Sequence, residues 1–153
     1  MSSSRRFQTN QTNQMLFKER MGVFTLKKLA VESSKCTGCG ACEIICSKSW
    51  YKTEDKKKSA IRIGSDEQGG YIITVCDQCG VCKDMCSVMA LEKDNKGVVR
   101  LDKKTCVGCL ICVGECSRDY MRYHDDLPTP FKCIACGLCA KQCPAGALAI
   151  VEN

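Results

Sequence analysis

Sixteen cysteines fall into four groups with identical spacing: Cys36, Cys39, Cys42, Cys46; Cys76, Cys79, Cys82, Cys86; Cys106, Cys109, Cys112, Cys116; and Cys133, Cys136, Cys139, Cys143. Each group reads C-x2-C-x2-C-x3-C, and no cysteine lies outside the repeat. Once the cysteines are set aside, about a third of the 153-residue chain is left to build an ordinary apolar core. Whatever the thiols bind must therefore organise the fold.

Cysteine density of this kind arises from a disulfide framework in an oxidising compartment or from metal ligation in a reducing one. The N-terminus pairs Arg5 with Arg6 but continues as a Gln, Thr and Asn tract instead of an apolar export segment, and Met21 offers a second start. The expectation is a cytoplasmic location with reduced thiols. No run approaches the ~18 apolar residues of a membrane-spanning helix, so direct membrane insertion is not expected.

The spacing then chooses among metals. A zinc site closes a tetrahedron from two separated C-x2-C pairs, whereas here a third cysteine follows each pair after two residues. Three thiolates on one tight loop suit three iron corners of a [4Fe-4S] cube, while the fourth, on the following helical turn, reaches another cube. Sixteen ligands then make four [4Fe-4S] clusters. A zinc-binding structural protein is the alternative from a different class. Gly38, Gly40, Gly80, Gly108 and Gly137 adjoin ligands, where the backbone must turn and bring N–H groups near sulfur; ordinary turn glycines would occupy the same places.

Short strands are expected at 25–31, 60–63, 71–75, 91–93, 98–101, 120–123 and 147–151, with hairpin turns at GSDEQGG and Asp94-Asn95-Lys96-Gly97. Brief helical stretches such as 42–46 follow each third cysteine. The fold class is α+β.

The run from Cys76 to Cys116, containing VMALEKDNKGVVRLDKKTCVGCLIC, resembles a complete bacterial-type two-cluster ferredoxin. With the second and third groups as partners, the first and fourth become an outer pair. Such nesting resembles the four-cluster subunits of molybdenum and tungsten oxidoreductases and of some hydrogenases and carbon monoxide dehydrogenases. The stretch LPTPFKCIACGLCAKQCPAGAL looks most like the small electron-transfer subunit of tungsten-dependent aldehyde oxidoreductases.

The resemblance implies two nested ferredoxin-like modules. The outer one spans 24–75 and 117–153, the inner one 76–116, and residues 1–23 form a polar extension. It also implies the ligand sets. Cys36, Cys39 and Cys42 join Cys143; Cys133, Cys136 and Cys139 join Cys46; Cys76, Cys79 and Cys82 join Cys116; Cys106, Cys109 and Cys112 join Cys86. The implied function is single-electron transfer from a catalytic oxidoreductase subunit, a tungsten-pterin aldehyde oxidoreductase, to a flavin/NAD subunit or another carrier, with self-association as a further expectation. A hydrogenase, carbon monoxide dehydrogenase or formate dehydrogenase is the alternative partner. One departure is visible: the family places proline after the fourth cysteine, and only Pro144 obeys, with Ser47, Ser87 and Ser117 elsewhere. Serine there offers a hydrogen-bond donor near sulfur.

Little else in the chain suggests chemistry, and no residue is assigned as catalytic. No dinucleotide or P-loop motif is present. The single histidine, His124, reads as a surface residue. Trp50 and Tyr51 read as shields for a cluster, and Lys56, Lys57 and Lys58 as a solvated loop. No nucleic-acid-binding motif accompanies the basic charge. That charge is formal: each cluster with four thiolates carries about −2, so the net +6 of the bare chain falls to about −2.

Overall fold

The computed structural model describes residues 25–153, and the expectations for the polar N-terminal extension lie outside the described residues. Among the described residues, six strands form three separate two-stranded antiparallel sheets. Strand β1 (Lys27–Val31) leads into the first cysteine group and helix α1 (Ala41–Tyr51). A hairpin follows, β2 (Arg62–Ser65) and β3 (Tyr71–Thr74), before the second group and the short helix α2 (Val81–Asp84). A second hairpin, β4 (Leu91–Lys93) and β5 (Val99–Leu101), separates it from the third group and α3 (Ile111–Gly114). The fourth group carries α4 (Leu138–Gln142), and β6 (Leu148–Glu152) ends the order.

Both hairpin turns are clamped by an aspartate. Asp66 Oδ1 accepts the Gln68 and Gly70 N–H groups at 2.9 and 2.6 Å, and Asp94 Oδ1 accepts those of Lys96 and Val98 at 2.9 and 3.0 Å. Short polar side chains that bind their own turn are the reason Asp and Asn favour such places. The ends of the chain meet: β1 pairs with β6 in a register that sets Leu29 against Ile150 and Lys27 against Glu152.

The apolar interior is split in two. Leu29, Ile61, Ile73, Val75 and Leu148 pack with Cys42 and Cys139, while Leu91, Val99 and Met121 pack with Cys112. Each group of aliphatic side chains is small and lies directly against cysteine sulfur. Below about 80 residues per core, metal or disulfide staples commonly supply what apolar burial does not.

Two expectations change. Residues 120–123 make only an isolated bridge, Arg122 with Phe131, because the chain there runs between turns and finds no second strand. The stretch expected to be helical over 42–46 runs to Tyr51, since the chain does not turn after Cys46 as it does after the other fourth cysteines.

Ile61 is buried in the larger apolar group. Ile61→Ala is expected to cost about 2–5 kcal/mol of stability, as large-to-small core changes do; anaerobic thermal unfolding of the loaded protein should show the lower midpoint.

Candidate metal centres

In each group the backbone enters the left-handed region twice, once before the second cysteine and once after it. The first position is Gly38, Gln78, Gly108 or Ala135, and the second is Gly40, Gly80, Leu110 or Gly137. These turns wrap the first three thiols of a group around one point and start the short helix that carries the third. At Gly108 (φ 70°) glycine is needed twice over, since an added Cβ would also lie 2.7 Å from the Pro128 carbonyl oxygen.

The helices place the fourth cysteine of every group beside the first three of another. One cavity is lined by Cys36, Cys39, Cys42 and Cys143. A second, of about 220 Å³, includes Cys46, Cys133, Cys136 and Cys139. A third, of about 120 Å³, includes Cys76, Cys79, Cys82 and Cys116. The Cys112 thiol faces those of Cys106, Cys109 and Cys86. Among the described residues, no group of three or more His, Cys, Asp or Glu is drawn together as a site for a single metal ion.

Packed helices and neighbouring thiols connect the sets. Helices α1 and α4 pack together, and α1 sends Cys42 to the set containing Cys143 and Cys46 to the set containing Cys139. Helices α2 and α3 likewise pack together and join the two sets around Cys82 and Cys112. Between the pairs, the Cys133 thiol faces both Cys46 and Cys76. The second cysteine of every group, Cys39, Cys79, Cys109 and Cys136, is exposed.

The sulfurs are supplied with backbone donors. N–H groups four residues after the fourth cysteine reach its sulfur in three groups: Ala90 to Cys86 at 3.3 Å, Tyr120 to Cys116 at 3.2 Å and Ala147 to Cys143 at 3.4 Å. In the first group the extended helix displaces this donor, and Ala60, fourteen residues on, takes its place at 3.4 Å from Cys46. Gln78 and Ala135 donate to Cys76 and Cys133 at 3.4 and 3.3 Å. Such donors favour sulfur that carries negative charge and help to set cluster potentials. Burial acts the other way on the bare thiols. It pushes Cys139 up to about 12, and Cys42, Cys82 and Cys133 up to about 11. Thiolates become favourable here when metal replaces the proton.

Several polar residues differ from their expectations. Ser47 is fully buried, but its hydroxyl donates to the Glu43 and Ile44 carbonyls at 3.2 and 3.1 Å and not to sulfur. His124 is not a free surface side chain: Nε2 faces Asp55 Oδ2 at 3.2 Å, and Nδ1 accepts the Asp126 N–H at 3.1 Å. The lysine run forms a 3-10 turn in which Lys56 and Lys57 are exposed as expected, Lys56 pairing with buried Glu43, while Lys58 is partly covered and pairs with Asp126. Trp50 and Tyr51 both line the second cavity, Tyr51 packed edge-on against Phe131 at 5.4 Å and Trp50 49% exposed. Glu43, Gln78 and Lys132 are buried polar residues that the sequence did not mark. Nothing in their local patterns distinguishes them from exposed ones.

Four converging sets of cysteine thiols on a small α+β frame, each with backbone donors to sulfur, define an iron–sulfur protein. Family models described as 4Fe-4S binding domains match residues 33–51 and 129–149, over the first and fourth groups. An uncharacterised ferredoxin of Methanocaldococcus jannaschii is 31% identical over 133 residues, covering 83% of this chain and 74% of that protein. The chain belongs to the ferredoxin family and binds [4Fe-4S] clusters. It is also 32% identical over 129 residues to the beta subunit of the NADH-dependent phenylglyoxylate dehydrogenase of Aromatoleum evansii, and 28% identical over 137 residues to a tetrathionate reductase subunit of Salmonella typhimurium. Those matches cover 78% of this chain in each case, but only 29% and 55% of the relatives' own lengths. Among the described residues, no helix is long and apolar enough to cross a membrane.

Replacing Gly108 with alanine should strain the third group, since a left-handed alanine costs about 1–2 kcal/mol before the Pro128 contact is counted. Anaerobic reconstitution is expected to give fewer irons per chain for Gly108→Ala than for wild type, and no loss for Ala135→Gly at the equivalent turn of the fourth group.

Proposed function

We propose that the chain is an electron-transfer subunit holding four [4Fe-4S] clusters in line, arranged as an inner ferredoxin-like module (76–116) nested within an outer one (24–75 and 117–153). The observation that supports it is the crossing of the fourth cysteines. Each group lends its last thiol to a set begun by a different group, so that the sets pair first with fourth and second with third. Zinc sites built from local C-x2-C pairs have no use for this exchange.

In this reading Cys36, Cys39, Cys42 and Cys143 hold the first outer cluster, and Cys133, Cys136, Cys139 and Cys46 the second. Cys76, Cys79, Cys82 and Cys116 hold one inner cluster, and Cys106, Cys109, Cys112 and Cys86 the other. When bound, each cluster accepts and releases one electron, which lets a two-electron oxidation elsewhere be divided into single steps. The protein's contribution is to fix the thiols, screen them with Tyr51, Phe131 and the aliphatic side chains, and offer N–H donors to sulfur. Each set keeps one exposed thiol, that of its group's second cysteine, at the surface.

Substrate chemistry belongs to a partner. Relatives named as subunits of a dehydrogenase and of a reductase support a catalytic oxidoreductase subunit as that partner. The stretch LPTPFKCIACGLCAKQCPAGAL favours a tungsten-pterin aldehyde oxidoreductase, oxidising its substrate and passing electrons through this chain to a flavin/NAD subunit or another carrier. A cytoplasmic setting fits the reduced thiols this requires. Anaerobic purification from the native host should bring down a tungsten-containing catalytic subunit. A molybdenum reductase or a hydrogenase in its place would overturn the partner while leaving the carrier role.

The nesting has its own test. Cys46→Ala should damage the cluster of the fourth group and spare that of its own group, as read by cluster-resolved electron paramagnetic resonance. Loss confined to the first group would reject the exchange of thiols.

A further inference from the structure

Lys132 immediately precedes the first cysteine of the fourth group, yet its side chain does not follow the surface. The residue is 7% exposed. Its Nζ lies 2.6 Å from Gln78 Oε1, 2.9 Å from the Val99 carbonyl oxygen and 2.9 Å from the Cys133 carbonyl oxygen. Three acceptors match the three N–H bonds of an ammonium, and none of the three is a carboxylate. The charge is thus held by neutral oxygens, and no ion pair cancels it among the described residues.

Its position is equally specific. Lys132 lines the cavity of Cys46, Cys133, Cys136 and Cys139, and it also lines the cavity of Cys76, Cys79, Cys82 and Cys116. Among the described residues, no other is common to the two linings. Gln78, 1% exposed, completes the junction: Nε2 donates to the Cys133 carbonyl at 2.9 Å, and Oε1 also accepts the Val99 N–H at 3.1 Å. A loop residue of the second cysteine group is thereby tied to the fourth group and to strand β5. The equivalent lysine before the first group, Lys35, is exposed and paired with Glu32.

A buried positive charge stabilises the more negative, reduced state of a cluster, and it acts strongly where water does not screen it. We propose that the Lys132 ammonium is a shared electrostatic element between the outer and inner modules, raising the reduction potentials of the two clusters that flank it above those they would otherwise have. The two terminal clusters, around Cys36 and Cys106, lie beyond its neighbours and are affected less. Electrons entering from either end then find the two middle positions favoured, and the junction between modules does not become the weakest link of the line. Gln78 is the positioning residue that holds the ammonium there. The inference rests on the four-cluster reading above.

The test is potentiometry followed by electron paramagnetic resonance on the anaerobically loaded full chain. Iron per chain and the resolved signals of wild type test the four-cluster reading; the movement of midpoints between wild type and variants tests Lys132. In Lys132→Met the two flanking clusters should shift to more negative midpoints by at least a tenfold change in the reduced-to-oxidised ratio, about 59 mV for one electron. The terminal pair should move much less, and Lys132→Arg, which keeps the charge, should retain most of the wild-type values. Unchanged midpoints in loaded Lys132→Met, or an equal shift of all four clusters, would overturn the proposal. If Lys132→Met does not assemble, Gln78→Glu decides, because a carboxylate placed against the ammonium should lower the same two midpoints. Unchanged midpoints there would overturn it as well.

Discussion

The fold depends on one constraint, that the fourth thiol of every cysteine group stands with three thiols of a different group. In the ligand sets proposed above no group completes its own set. The first is finished by the fourth, more than 90 residues away, and the second by the third. That proposed exchange agrees with the pairing of β1 and β6, from opposite ends of the described chain, in one sheet, and with the packing of α1 against α4. The apolar side chains then need only to seal the sets. Leu29, Ile61, Ile73 and Leu148 do so on one side, and Leu91, Val99 and Met121 on the other.

The same constraint accounts for the local backbone. Three thiols three residues apart can face one point only if the chain reverses twice within seven residues, and the left-handed positions around each second cysteine do this. Glycine fills most of them. Where Gln78, Leu110 and Ala135 stand instead, the conformation is held by what surrounds it. For Gln78 the holding contacts are visible, since its amide is bound to Cys133, Val99 and Lys132 in the junction between the two halves.

The cysteine periodicity made the family and the type of cluster legible, because the offsets recur four times and leave no thiol over. Both hairpins could also be read, as Asp66, Asp94 and the glycines of the turns are local signals whose effect does not depend on distant contacts. Positions set by tertiary neighbours were not legible. Tyr120 to Tyr123 has the composition of a strand but meets no second strand beyond one bridge, and α1 continues past Cys46 because the chain turns later there. Lys35 and Lys132 occupy the same place before a cysteine group, one solvated and one buried, and nothing in the residues beside them separates the two. In the lysine run at 56–58, Lys56 and Lys57 are exposed as read, whereas Lys58 and His124 are partly covered, Lys58 paired with Asp126 and His124 facing Asp55, residues from the other segment in each case.

The central claim is that the sixteen thiols form four cube-binding sets, and iron and acid-labile sulfide counted together test it most directly. An anaerobically purified chain should contain about 16 irons and about 16 sulfides per molecule, four of each for every set. A chain holding about four zinc ions and no sulfide, with each group closing its own tetrahedron, would contradict the account.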